Sequence, residues 1–136
     1  MKSKEPISHA EAARDHLVIS LKELASDRDM GCSKYLWLAA REASIFAAQK
    51  QGWDVDTDDE IKDAVRWLDT EHGDQFEILS EFHTAEMFRN NADYGFLDKD
   101  EIIWFQPIVH EFVERMLALH TVEKDKLDAD HNGTRR

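Results

Sequence analysis

Apolar residues recur along this chain at steps of three and four, the spacing that gathers them on one face of an α-helix. Ala13, Leu17, Leu21 and Leu24 form the first such stripe, entered through Ser8-His9-Ala10-Glu11, which reads as a capping box. The stripe is predicted to end near Ser26-Asp27, with Gly31 marking the turn. A second helix is predicted from about Ser33 to Gln51, stopped by Gly52. Tyr35, Leu36, Trp37, Leu38, Ala39, Ala40, Ala43, Ile45, Phe46, Ala47 and Ala48 wrap most of its circumference, the pattern of a central helix packed on several sides. Thr57-Asp58-Asp59-Glu60 is a second capping box, opening a shorter helix with Ile61, Ala64, Val65 and Leu68 inward and Gly73 as its punctuation. A fourth helix is expected from about Asp74 to Asn91. Asp98-Lys99-Asp100-Glu101 then caps a last one, with Ile102, Phe105, Val109, Phe112, Met116 and Leu119 on its inner face and a kink or break at Pro107. The expected fold is all-α, an antiparallel bundle of four to five helices spanning residues 8–122. Residues 1–7 are expected to be a flexible N-terminus and 123–136 a polar, disordered tail.

Composition narrows the class. A chain of 136 residues makes one domain, and five glycines with two prolines are too few for an all-β fold with many turns. No apolar run approaches the roughly 18 residues of a membrane span, and the first residues lack the apolar core of a signal peptide. With a single cysteine, Cys32, these features lead to the expectation of a cytoplasmic protein. Seventeen Lys and Arg against twenty-nine Asp and Glu give a net charge of −12 at pH 7. Such a surface repels phosphate backbones and argues against broad DNA binding, while leaving room for a local site.

Metal chemistry fits poorly. Asp54-Val55-Asp56-Thr57-Asp58 opens like a calcium loop, but its sixth position is Asp59 instead of glycine and its twelfth is Val65 instead of glutamate. It reads better as a turn into a helix cap. A di-iron bundle needs Glu-x-x-His pairs on facing helices, and none of the seven histidines has glutamate three residues before it. Asp69-x-x-His72 and the reversed His83-x-x-Glu86 are imitations without a second half. No metal and no cofactor are therefore expected. Arg115 and His120 match an Arg-x4-His pattern, but Arg115 also lies four residues after Glu111, as a surface ion pair would, and His120 suits the helix C-terminus.

The fourth helix carries the candidate chemistry. Projected at 100° per residue with Phe82 at the centre of the buried stripe, Ile78, Leu79 and Ala85 fall in the core sector. Glu86 and Arg89 fall there too, as does Asp93 if the helix extends so far; Glu77, Ser80, Thr84 and Asn91 fall outside. His83, Met87 and Asn90 make the flank, with Tyr94 beyond. Charges on an inward stripe need partners. Arg89 either pairs with Glu86 and Asp93 on its own helix, or ties a neighbouring helix in place, or serves a functional site.

Phe88-Arg89-Asn90-Asn91-Ala92-Asp93-Tyr94-Gly95-Phe96-Leu97-Asp98 resembles the signature region of HEPN domains, small helical bundles of prokaryotic toxin–antitoxin and defence systems. Arg89 and Asn90 match the opening of that signature, Phe96 its aromatic position, and Asp98 to Trp104 the start of the helix that follows. Ala39-Ala40-Arg41-Glu42-Ala43 resembles the alanine-rich central helix, and Arg89-x-x-Ala92-Asp93-Tyr94 a variant of the signature in some relatives. The resemblance implies a homodimer in which arginine and histidine from two protomers meet and cleave RNA without metal, through the 2′-hydroxyl. Here Tyr94 stands where active members place the histidine, and a phenol titrating near pH 10 is a poor base at neutral pH. His83 is the first candidate replacement.

The function expected on this basis is binding of a nucleotide, RNA or a partner protein at a homodimer interface, within a prokaryotic stress or defence module. Arg89, Asn90 and His83 would be the catalytic candidates, and Glu86, Asp93 and Tyr94 the binding ones. The alternatives are an active metal-independent ribonuclease and a non-enzymatic interaction module using an acidic surface. Among the tryptophans, Trp37 and Trp104 are expected in the core and Trp53 partly exposed.

Overall fold

The computed structural model describes residues 6–119, with side chains placed for 8–72 and 77–119. His120, the tail at 123–136 and most of the N-terminus expected to be flexible lie outside the described residues. Within them the chain is an all-α bundle of five helices: α1 (Pro6–Ala25), α2 (Asp29–Lys50), α3 (Asp58–Phe76), α4 (Ile78–Tyr94) and α5 (Lys99–Ala118). The central helix is α2, which packs against all four others. Its Ala39, Ala40, Ala43, Ala47 and Ala48 are buried to 1% exposure or less, so neighbouring helices can approach its backbone closely.

Cross-links between helices give the directions. Asn91 of α4 meets Ser33 near the start of α2, and Glu81 of α4 meets Arg115 near the end of α5. Lys99, at the start of α5, reaches the α1–α2 turn, while Lys50 Nζ donates to the Leu119 carbonyl at the far end. So α2 and α5 run one way and α1 and α4 the other. The third helix runs antiparallel to α4, its Asp58 beside Arg89 and its Asp69 beside Leu79. Phe82 sits at the middle of the core, 5.8 Å from the Trp37 ring and 5.9 Å from Phe112 between centroids.

Of the two predicted capping boxes, the second forms, and the Asp98 cap is itself a full capping box. The Glu60 amide donates to Thr57 Oγ1 at 3.1 Å and Glu60 Oε1 accepts from the Thr57 amide at 3.0 Å. Asp98 and Glu101 make the same reciprocal pair. Ser8 does not cap, because α1 already begins at Pro6, where a missing N–H costs a helix nothing. Gly31 does not mark a turn either. It lies in the first turn of α2, where a Cβ would stand 2.1 Å from Glu23 Oε1. The turn is instead made by Asp27 with φ of +62°, whose short polar side chain tolerates that region. Likewise α3 runs through Gly73 and breaks at Glu77, at φ of +51°. Glu77 offers no side-chain cap, and Asp69 Oδ1 of α3 supplies one by accepting from the Leu79 amide at 3.0 Å. At the end of α2, Gly52 at φ of +87° permits the paired bonds Trp53 N–H to Ala48 O and Gly52 N–H to Gln49 O. Pro107 leaves α5 a single element. The carbonyl it frees, on Ile103, is on the solvent side, since both residues are exposed.

The largest departure concerns Asn91. It is 1% exposed, although the helical projection puts it outside. Its Nδ2 donates to Ser33 Oγ at 2.8 Å, its Oδ1 accepts from the Leu97 amide at 2.6 Å, and its backbone carbonyl accepts from the Gly95 amide at 2.8 Å. The buried seam of α4 runs Ile78, Phe82, Ala85, Phe88, Asn91. Steps of three fall about 60° short of a full turn, so the seam winds around the helix and ends far from where a straight stripe would.

Asn91→Ala should lower stability by about 3 kcal/mol in urea unfolding, because it strands the Leu97 amide and the Ser33 hydroxyl. Asn90→Ala, on the exposed side, should change it by no more than about 0.5 kcal/mol. Cys32 is 1% exposed, and burial pushes its thiol up to about 11. The thiolate is thus about a hundredfold scarcer at mildly alkaline pH than for a free cysteine. Iodoacetamide should label Cys32 only after unfolding, as intact-mass spectrometry would show.

Candidate functional site

Because the seam winds, α4 turns Arg89 and Asp93 away from the core, while Glu86 stays at its rim. Arg89 keeps 46% of its side chain exposed and Glu86 keeps 23%, while Asp93 is exposed. The inward placement is therefore wrong for Arg89 and Asp93, and the reason is the changing angle of the seam; the Glu86 side chain is about three-quarters buried between α3 and α4. Arg89 ties a neighbouring helix rather than pairing with Glu86 and Asp93 on its own. Its Nη2 lies 3.2 Å from Asp58 Oδ2 at the N-terminus of α3, and Arg41 Nε donates to Asp58 Oδ1 at 3.1 Å. Arg41 Nη2 also donates to the Asp56 carbonyl at 3.0 Å. The Arg89 guanidinium covers the Trp37 ring, 5.4 Å from its centroid.

Farther along the α3–α4 seam, Lys62 Nζ is 3.4 Å from Glu86 Oε2, and Glu86 Oε1 is 2.9 Å from His83 Nδ1. Arginine, aspartate, lysine and glutamate thus form a surface ladder clamping α3 to α4. Asn90, Asp93 and Tyr94 stand outside the ladder and are exposed. The catalytic pair expected to meet across two protomers is spread along one helix within a single protomer. Six residues separate His83 from Arg89, which sets them about 9 Å apart along the axis and about 120° around it.

What sequence reasoning missed lies at the α4–α5 corner. Tyr94 is 80% exposed, Phe96 55%, Ile103 50% and Trp104 77%. The expectation of Trp104 in the core is overturned, while Trp37 is buried and Trp53 half-buried as expected. A signal was present: Ile102, Ile103, Trp104 and Phe105 are consecutive, and four successive helical residues span about 300°. A core on one side of α5 takes Ile102 and part of Phe105 and must leave the others outside. Met30 belongs to the same end of the bundle, its Sδ 3.3 Å from where a Cβ of Gly95 would be, and it is 45% exposed.

Among the described residues, no three of His, Cys, Asp or Glu converge in a way that could hold a metal ion. No helix among them is long and apolar enough to cross a membrane. Comparison with protein-family models, curated proteins and solved structures gives no match that shows kinship.

Arg89→Ala should cost about 1 kcal/mol, not the several expected of a buried clamp. The pair with Asp58 is screened by water, Asp58 retains Arg41, and the cation–π contact is a further small loss. Chemical denaturation of the variant and wild type checks this; a loss above about 3 kcal/mol would show a desolvated pair.

Proposed function

We propose that this chain is a non-catalytic, HEPN-like protein-interaction module whose working face is the corner between α4 and α5. The observation that carries the reading is the display of Tyr94, Phe96, Ile103 and Trp104, each at least half exposed, within one short stretch of chain. Isolated exposed apolar residues are ordinary, but four large ones together mark a surface that something covers. The edge of this face is acidic: Asp93, Asp98, Asp100 and Glu101 are all exposed. The nearby cation, Lys99, is already held by Asp27 at 2.7 Å and Asp29 at 3.0 Å. An apolar centre with an acidic edge suits a partner segment with apolar residues flanked by Lys and Arg. A second copy of this chain would bring the same acidic edge against itself, on a molecule already carrying −12.

Binding is favoured over catalysis by the chemistry of the signature region. Tyr94 is a poor base, His83 is turned away from Arg89 on the same helix, and Arg89 already serves Asp58. The resemblance to HEPN domains supplies the setting, a prokaryotic stress or defence module in which a protein partner meets this face.

Two amphipathic helical peptides with identical apolar residues, one flanked by Lys and Arg and the other by Glu, test the reading through the change in Trp104 emission. The basic peptide should bind, more weakly as salt rises, and lose at least about tenfold in affinity when Trp104 and Phe96 are both changed to Ala. Equal binding of the two peptides, or none, overturns the proposal. A wild-type dimer that Trp104→Ala dissociates would give the face to a second copy instead. RNA cleavage in EDTA that is lost in folded Arg89→Ala would make the protein an enzyme.

A further inference from the structure

A second feature lies away from the α4–α5 corner, where the α2–α3 connection crosses the first turns of α3. The bonds that close α2 at Gly52 fix Trp53 immediately after the helix end, and Trp53 turns back onto α3. There it meets Trp67, with ring centroids 4.7 Å apart and ring planes at 88°. The two indoles form walls at right angles to a cleft of about 460 Å³ that opens to solvent. Asp54, Glu60 and Asp63 line it together with Val55 and Ala64, and no basic residue lines it.

These carboxylates are fixed to different degrees. Glu60 is held by the helix cap, where Oε1 accepts from the Asp56 amide at 2.8 Å and the Thr57 amide at 3.0 Å. Those amide bonds hold its carboxyl below the usual carboxylate range, so it stays ionised at neutral pH. Asp63 has a weak surface partner in Arg66 at 3.4 Å, both strongly exposed. Asp54 is exposed. Hydrophobic packing explains the tryptophan pair and the helix cap explains Glu60; Arg66 touches Asp63 from outside, so the lining itself presents three acids and two indoles without a base.

Indole faces are negative and attract cations, most strongly those too weakly hydrated to prefer water. A methylated ammonium group has that character: its charge is spread over methyl groups that also fill apolar space. Surrounding carboxylates add a long-range attraction without needing a hydrogen bond to the cation. Phosphates and carboxylates are repelled by the same lining. We infer that the Trp53–Trp67 cleft is a binding site for a methylated ammonium group. The inference is independent of the partner face at the α4–α5 corner.

The test uses the full chain and two compounds of equal shape, choline and its uncharged carbon analogue 3,3-dimethylbutan-1-ol. The indole N–H signals of Trp53 and Trp67 are followed by NMR, assigned through single Trp→Phe variants. Choline should shift both signals and bind roughly tenfold or more tightly than the neutral analogue. Asp63→Asn, a change at an exposed position that leaves the core intact, should weaken choline and leave the alcohol unchanged. Equal affinity for the two compounds would make the cleft merely apolar and overturn the inference, as would the absence of any shift with choline. A peptide bearing trimethyl-lysine distinguishes the source of the group. Tighter binding than choline would place it on a protein side chain, and equal or weaker binding on a small molecule; either outcome upholds the shared chemistry.

Discussion

A single buried carboxamide governs the α4–α5 end of this molecule. Asn91 holds three things at once: the α2 hydroxyl of Ser33, the amide of Leu97 in the connection, and, through its own carbonyl, the Gly95 amide that closes α4. An apolar side chain at this place would pack but would leave the turning backbone with no partner in a site closed to water. The turn can therefore sit tight against α2 only while a residue with both a donor and an acceptor stands here. Gly95, left-handed and close to Met30, is the second condition, since a side chain at that position would crowd the sulfur. Together they fix where α5 begins, and the Asp98–Glu101 cap fixes how.

Charge does a related job on the outside. The chain carries a large acidic excess, yet several of its arginines and lysines are placed where helices meet. Arg41 and Arg89 converge on Asp58, Lys62 reaches Glu86, Lys99 joins α5 to the α1–α2 turn, and Arg115 grips Glu81 with two bonds of 3.0 and 2.8 Å. Each such pair at a wet surface contributes little to stability. Their joint effect is on register, because a slip of one helix along another would leave acids facing acids. What remains for solvent and for partners is then predominantly negative.

The fold was legible because it follows from periodicity and capping, both local properties. The stripes along α3 and α5, the all-round apolar character of α2, and the Thr57 and Asp98 caps each sit where the residue pattern puts them. Along α1 the pattern holds for Ala13 and Leu17 but not for Leu21, which is 46% exposed while Ser20 beside it is buried. The site was less legible because it depends on the angle at which helices cross. The projection of α4 assumes a seam parallel to the axis, and over the nine residues from Phe82 to Asn91 a seam winding by about 60° per step of three carries Asn91 inside and Arg89 outside. Trp104 fails for another reason: a large apolar residue is assigned to the core by default, whereas a run of four on one helix must expose part of itself. Glycine was also over-read as punctuation. At Gly31 the absence of a side chain answers a close approach by Glu23, and the sharp bends fall on Asp27 and Glu77.

These constraints bear on why the corner aromatics stay outside. A flexible loop carrying Tyr94, Phe96, Ile103 and Trp104 would collapse onto the bundle and bury them, since apolar area leaves water whenever the backbone allows it. Here the backbone does not allow it. Asn91 and Gly95 hold one side of the connection, and the capping box and Lys99 hold the other. The polar bonds of that connection would have to break, with their groups left unpaired, before the aromatics could fold inward. The exposed face is thus a consequence of the buried carboxamide, and the partner we propose for it would find apolar side chains on backbone already ordered, so less entropy would be lost on binding than with a loop that must first be organised.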